Sequence, residues 1–207
     1  MSETIKVLKE IWETDICGEY QEGWIPNERT LQAALYHHLR CRGKRPIVEV
    51  GKFLDGSLIP DLIVAKGNHV EVVMELKFVP NKGVVWEKDL KKLTDWAARG
   101  RVSDTLRFDP RTMNWRPHEI EGNEYWLDPK TCWVFAAIGT DDSRAFDPGV
   151  IGKRIPRDLV KRFAVLTGVV HKDRDSVLQT HPSWLIRFFF TLADECSVWR
   201  PAGSPNK

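Results

Sequence analysis

The sequence predicts an α/β fold in which helices flank a mixed central sheet, because its hydrophobic period alternates between helical and extended values. Residues 27–42 show a helical period, residues 47–79 show extended periods separated by turn-forming residues, and residues 84–98 are helical again. Residues 132–138 then form an apolar run with the composition of a buried strand. The order helix, three strands, helix, strand predicts an αβββαβ core over residues 27–139.

Capping residues set the limits of the first long predicted helix. Asn27 is a good N-cap, and Arg42-Gly43 suits a helix C-terminus. Its apolar stripe comprises Leu31, Ala34, Leu35, His38 and Leu39. A short amphipathic helix is predicted over residues 2–12, and the glycines and proline of residues 13–26 predict a loop.

Turn signals divide the extended segment into a three-stranded meander. Asp55-Gly56 predicts a hairpin between strands at 47–50 and 58–65, and Lys66-Gly67-Asn68 predicts the turn into a strand at 70–79. Residues 100–130 are rich in Gly, Pro, Asp and Asn and are expected to be mostly loop.

The remaining chain is expected to be helical around residues 156–165 and 182–194. Residues 140–207 would then form a C-terminal helical extension packed on the core, and residues 1–207 a single domain.

The composition is that of an ordinary globular protein with a formal net charge of +2, which neither requires nor excludes nucleic acid as a partner. Without an apolar run of about 20 residues or a secretory signal, the chain is expected to be cytoplasmic and not membrane-bound. The four cysteines lack zinc-ligand spacing and are expected to be reduced.

Three separate features supply candidate catalytic residues. In the third strand, Glu75 and Lys77 alternate onto one face, opposite the face of Met74 and Leu76. A carboxylate that can bind Mg²⁺, next to a cation that can activate water or offset phosphate charge, suits phosphodiester cleavage. Asp61, after Pro60 in the adjacent strand, would supply the second carboxylate. Glu28, at the N-terminal end of the buried helix stripe, is a candidate third ligand or a partner of a metal-bound water.

Each feature alone has a simpler interpretation. Glu-x-Lys fits an amphipathic strand, Pro-Asp is a common turn dipeptide, and Glu28 fits a solvated acid that complements the helix dipole. Their joint order within the predicted core favours a catalytic site.

These residues resemble the signature of the PD-(D/E)XK nuclease superfamily, the restriction-endonuclease-like fold: a helix acid (Glu28), Pro60-Asp61, then Glu75-Leu76-Lys77 on an αβββαβ core. The resemblance implies a metal-dependent nuclease in which Asp61 and Glu75 bind Mg²⁺, or Mn²⁺ in its place, and Lys77 assists the nucleophile. In the helix that follows, Lys88 and Lys92 are the candidate substrate-binding residues. The Gln-x-x-x-Tyr motif of RecB-like exonucleases is absent, which argues against that branch.

Basic residues outside these motifs predict contacts with the phosphates of a nucleic acid, most simply DNA. If a helix follows Pro156, Arg157 and Lys161 lie one turn apart on one face. A second basic cluster at residues 40–45 fits either a duplex contact or favourable charges at a helix C-terminus. Trp115 and Trp126 fit either base stacking or core packing.

Other functions stay open from the sequence alone. A catalytically inactive nucleic-acid-binding or scaffolding module with the same fold is the main alternative, and an RNA-cleaving variant is a second one. A restriction, phage-defence, mobile-element or repair setting, a homodimer, and a larger complex are all compatible with the sequence.

The catalytic hypothesis places a condition on the register of the second hairpin. If Gly67 and Asn68 alone form the turn, Asp61 lies opposite Met74 and faces away from Glu75. A loop with an odd number of residues, or a β-bulge between Asp61 and Glu75, is therefore predicted.

Overall fold

The computed structural model describes residues 2–48, 60–67, 69–79, 86–99, 107–109, 114–116, 126–140, 151–172 and 184–192. Its N-terminal helical run consists of α1 (Glu3–Glu10), a π-helical segment (Ile11–Ile16) and α2 (Cys17–Gln21). The loop prediction for 13–26 was therefore wrong for residues 13–21. Trp12 and Ile16 are buried, and burying this continuing apolar stripe outweighs the unfavourable helix propensity of Gly18.

Helix α3 (Glu28–Cys41) agrees with the prediction at both ends. The Asn27 side chain accepts a hydrogen bond from the Thr30 N–H at 3.0 Å and caps its N-terminus. Gly43, with φ of 69°, follows the C-terminus in the left-handed region that favours glycine.

Six strands form one mixed sheet, in the order β1 (Arg45–Val48), β2 (Leu62–Lys66), β3 (His69–Val79), β6 (Trp126–Thr140), β7 (Phe163–Lys172) and β8 (Trp184–Leu192). The first three form an antiparallel meander. Helix α4 (Glu87–Arg99) leads from β3 towards β6, which runs parallel to it. The α3-β1-β2-β3-α4-β6 order predicted from the sequence is present, and the chain has an α/β architecture.

The prediction of a helical C-terminal extension was wrong. β7 (Phe163–Lys172) runs parallel to β6, and β8 (Trp184–Leu192) pairs antiparallel with β7, so both strands extend the sheet. Among the described residues between β6 and β7, Ile151 and Gly152 are helical and Val160–Arg162 form a short 3-10 turn. Both strands are rich in β-branched and aromatic residues, which favour extended structure once a neighbouring strand is available for pairing.

Helices cover both faces of the sheet, and each face has its own apolar core. The N-terminal helical run and helix α3 both pack on one face of the sheet, against Leu62, Met74, Leu76, Val134 and Leu166. Helix α4 packs on the other, against Ile63, Val73, Trp133, Phe135 and Val165. The central strands are thus buried on both faces, as expected where a sheet has parallel neighbours.

The segment between α4 and β6 contains two short strands, β4 (Arg107–Asp109) and β5 (Asn114–Arg116), in a separate antiparallel pair. The mostly-loop prediction for 100–130 was wrong for these strands and for the start of β6. The predicted Asp55-Gly56 hairpin lies outside the described residues, as do the side chains of Trp115 and Trp126. No helix in the described segments has the length and apolarity required to cross a bilayer.

Candidate active site

A β-bulge in the second hairpin brings the two candidate metal ligands onto one face. Lys66 pairs with His69 across Gly67-Asn68, so the loop has two residues, the case that turns Asp61 away from Glu75. The register shifts between Val64 and Ala65, however, and Leu62 pairs with Met74. Continuing that register places Asp61 opposite Glu75. The predicted bulge is confirmed.

The bulge also corrects the assignment of faces along β3. Val73 belongs to the α4-side core, whereas Val72, Met74 and Leu76 belong to the opposite core. By alternation, Glu75 and Lys77 face α4 as expected. Val70 joins the α4-side core, and Glu71 accepts a hydrogen bond from Thr4 of α1 at 2.5 Å. Regular alternation back from Glu75 would place Val70 and Glu71 on the opposite faces, so the bulge reverses these two positions.

Asp61 is fixed between two elements. Its carboxylate accepts a hydrogen bond from the Leu76 N–H at 2.6 Å, which places it against the centre of β3. Its main-chain carbonyl accepts one from the Gln32 side chain of α3 at 2.5 Å. Sequence reasoning missed Gln32, although it lies one helical turn after Glu28 and therefore on the same side of α3.

Burial makes the carboxyl groups of Asp61 and Glu75 weaker acids than they are in water. Glu75 is 7% exposed, and burial, followed by the charges of Asp61 and Asp89, raises its pKa to about 8. Burial also raises the pKa of Asp61 to about 6, against the opposing effect of the Leu76 N–H bond. The raised pKa of Glu75 leaves that carboxyl group protonated at neutral pH, so a divalent cation that binds there would displace the proton.

Lys77 lies between two further acids. Its ammonium is 2.8 Å from Asp89 of α4 and 3.8 Å from Glu28 of α3. Although burial opposes it, the Asp89 hydrogen bond and the Glu28 charge raise the pKa of Lys77 above its ordinary value. Lys77 is therefore a fixed, protonated cation at neutral pH.

Glu28 lies at the edge of the site. Its side chain is 41% exposed, and its carboxylate accepts a hydrogen bond from the Phe78 N–H at 3.2 Å. It contacts Lys77 and the end of β3, and its charge raises the pKa of Asp61. Sequence reasoning placed Glu28 near the two carboxylates but missed Asp89. In that helix it had selected Lys88 and Lys92 as substrate-binding residues.

The predicted substrate-binding lysines and arginines are all exposed. Lys92 is near enough to Glu75 to lower the pKa of that carboxyl group, and its ammonium lies 5.5 Å from the centroid of the Trp96 ring. No described contact brings Lys88 to the carboxylates. Arg157 lies in a turn before the 3-10 segment Val160–Arg162 and Lys161 lies within that segment, so the predicted helical face that would align them is absent from these described residues.

The basic cluster at residues 40–45 is partly neutralised within the fold. Arg42 lies 2.6 Å from Asp15, and Lys44 lies 2.6 Å from Glu3. Both acids belong to the N-terminal helical run, so these two cations hold that run against α3. The structural interpretation of the cluster is therefore favoured over a duplex contact.

The donor chemistry of the site fits a hard divalent cation. Within the described segments, no group of three or more His, Cys, Asp or Glu side chains is arranged to hold a metal ion. A site here would depend on the carboxylates of Asp61 and Glu75. Mg²⁺ is commonly held by one or two carboxylates and completes its coordination with water and substrate phosphate oxygens. The two carboxylates therefore suffice in number.

No protein-family model, no curated protein and no solved structure matches this chain.

Proposed function

We propose that the chain is a Mg²⁺-dependent nuclease that hydrolyses phosphodiester bonds, in DNA in the first instance, with a restriction-endonuclease-like core. The observation that carries the proposal is the β-bulge at Val64/Ala65, because a regular two-residue hairpin would separate Asp61 from Glu75. Bulges of this kind commonly redirect a side chain at an active site.

Asp61 and Glu75 would hold the cation, with Mn²⁺ able to replace Mg²⁺ as a hard, oxygen-seeking ion. A bound Mg²⁺ supplies a Lewis acid that offsets negative charge on a phosphate oxygen. Gln32 and the Leu76 N–H keep Asp61 in position for this role. Lys92 provides a second positive charge next to Glu75.

Lys77 contributes as a positive charge. Since Asp89 and Glu28 keep it protonated, it serves to orient the attacking water and to stabilise the charge that develops on the phosphate. A neutral lysine that removes a proton from water would require an environment that lowers its pKa, which is the opposite of this one.

The proposal is tested by incubating the protein with linear, circular, branched and single-stranded DNA, and with RNA, in the presence of Mg²⁺, Mn²⁺ or EDTA. Cleavage of DNA is expected with either metal and not with EDTA. Cleavage of RNA alone would support the RNA-cleaving alternative. Binding without cleavage under every metal condition would support an inactive nucleic-acid-binding module.

Asp89 is expected to act as a positioning residue for Lys77. Replacing Asp89 with Asn removes the charge 2.8 Å from the ammonium, so kcat is expected to fall by about 10- to 100-fold, with KM nearly unchanged. Asp89→Glu should restore part of the rate. Asp95→Asn is the matched control, because Asp95 pairs with Lys91 on the exposed side of the same helix. An Asp89→Asn variant with wild-type kcat would exclude this role.

Arg157 and Lys161 are exposed cations that could still contact phosphates without sharing a helix. The plot of log affinity against log salt has a negative slope. If each residue makes one contact with a duplex, the Arg157→Ala, Lys161→Ala double variant should make that slope less steep by roughly 2. Affinity should fall across all sequences tested. An unchanged slope would leave these two residues without a role in substrate binding.

A further inference from the structure

Trp24 differs from every other tryptophan whose side chain the structure describes. Its side chain is 64% exposed, whereas Trp12, Trp86, Trp96 and Trp133 are at most 5% exposed. Indole is a large apolar group that proteins normally bury in a core or an interface. An exposed tryptophan in a chain that buries its others so completely is therefore a candidate contact residue.

The loop that carries Trp24 is held by the fold on both sides. Its main-chain N–H donates to the Glu19 carbonyl at 2.9 Å, and the N–H of Gly23 donates to the Tyr20 carbonyl at 3.1 Å. Ile25, the next residue, is 2% exposed. Because both neighbours are fixed, the indole is presented to solvent from an ordered segment.

Both ends of this loop contact the end of β3 that carries Lys77. On one side, the Tyr20 ring lies 6.1 Å from the Phe78 ring, centroid to centroid. On the other, Glu28 accepts a hydrogen bond from the Phe78 N–H and lies 3.8 Å from the Lys77 ammonium. Trp24 is four residues from Tyr20 and from Glu28, so at most about 14 Å of chain separates it from either contact. That span equals roughly four stacked base steps.

Arg29, which follows the loop that carries Trp24, has no acidic partner within the described residues. Arg29 is exposed in the first turn of α3, immediately after Glu28. The helix dipole disfavours a positive charge at that end of a helix, so the position contributes little to stability. It is available to hold a phosphate.

We infer that Trp24 is a stacking platform for an unpaired base of the substrate and that Arg29 holds a neighbouring phosphate. The inference rests on the proposed nuclease function and deepens it, because it names the substrate class: nucleic acids with a single-stranded segment beside the cleaved bond. Bases in a regular duplex stack on each other and do not offer their faces, whereas unpaired bases stack on exposed aromatic rings.

The test measures binding in EDTA, so that no cleavage occurs, by fluorescence anisotropy of a labelled single-stranded oligonucleotide and of a blunt duplex containing the same sequence. Loss of one stacked base corresponds to about a 5- to 150-fold increase in Kd. Trp24→Ala is expected to weaken single-strand binding by that factor and duplex binding by less than twofold. Trp24→Phe should retain most of the affinity. Tyr36→Ala is the matched control, because Tyr36 is a 38% exposed aromatic in the middle of α3.

The outcomes distinguish a failure of the stacking inference from a failure of the nuclease function on which it rests. If the wild type cleaves DNA and Trp24→Ala binds single strands with wild-type affinity, the stacking role is wrong and the nuclease proposal stands. Equal weakening on single strands and duplex would also exclude recognition of unpaired bases. If Trp24→Ala weakens single-strand binding but the wild type cleaves nothing with Mg²⁺ or Mn²⁺, the stacking site stands and the nuclease proposal fails. A wild type that binds no nucleic acid overturns both and assigns the indole to another partner.

Discussion

Asp61→Ala, Glu75→Ala and Lys77→Ala are each expected to abolish cleavage while leaving the fold intact. Each removes several kcal/mol of transition-state stabilisation, which corresponds to a loss of roughly 10³-fold or more in kcat. The isosteric variants Asp61→Asn and Glu75→Gln should lose activity to a similar degree, because the charge and not the volume binds the cation. The measurement is kcat on the best substrate of the nucleic-acid panel at saturating Mg²⁺.

Matched substitutions on α4 control for general effects of removing charge. Asp95 and Lys91 form an exposed ion pair, so Asp95→Asn and Lys91→Ala should keep wild-type activity. Glu28→Ala should reduce activity less than the three central variants, because the Glu28 side chain is 41% exposed at the edge of the site, whereas Glu75 is 7% exposed. Retained activity in Asp61→Ala or Glu75→Ala would show that the assignment is wrong, and unfolding of these variants would show that the residues are structural.

Glu75→Gln is expected to raise the free energy of unfolding at pH 8 in the absence of metal. Folding raises the pKa of Glu75 from an ordinary 4.5 to about 8, so the folded state binds a proton more tightly than the unfolded state. The contribution of this proton to the free energy of unfolding is then fully present below about pH 4.5. It is lost as pH rises towards 8, by at most about 1.4 kcal/mol per pH unit. The glutamine variant lacks this loss and should be the more stable protein at pH 8.

Urea unfolding at pH 5 and pH 8 in EDTA measures the effect. The difference between Glu75→Gln and the wild type should be small at pH 5 and at least about 1 kcal/mol at pH 8. Asp61→Asn should show the same sign over a lower range, because the pKa of Asp61 is raised only to about 6. Mg²⁺ should stabilise the wild type and not either variant, since a ligand that binds only the folded state raises its stability. A Glu75→Gln variant that is less stable at pH 8 would contradict the pKa assignment.

The parts of the fold that sequence patterns predicted are those governed by local chemistry. Helix α3 follows from its Asn27 cap and the Gly43 terminus, and α4 from its apolar stripe. The C-terminal strands were mistaken for helices because short apolar runs have no reliable period. What makes Phe163–Lys172 a strand is its pairing with β6, a long-range contact that no local window contains.

The candidate active site was also predictable only where local sequence determines it. Asp61, Glu75 and Lys77 were identifiable from motif order, and the geometry of a two-residue turn required a bulge that the structure contains. Asp89 and Gln32 were missed because their roles depend on where α4 and α3 pack on the sheet. Arg157 and Lys161 were predicted to share one helix, whereas in the fold Arg157 lies in a turn and Lys161 lies in the 3-10 segment that follows it.

The most direct test of the shared metal site is a crystal structure of the protein grown with Mn²⁺, with the ion located by its anomalous scattering. The account predicts one Mn²⁺ on the α4 side of the sheet, bonded to a carboxylate oxygen of Asp61 and to one of Glu75, with Lys77 still held by Asp89. A crystal of the Glu75→Gln variant grown under the same conditions is expected to contain no ion at this position. Mn²⁺ bound elsewhere, or Asp61 and Glu75 on opposite faces of the sheet, would contradict the account.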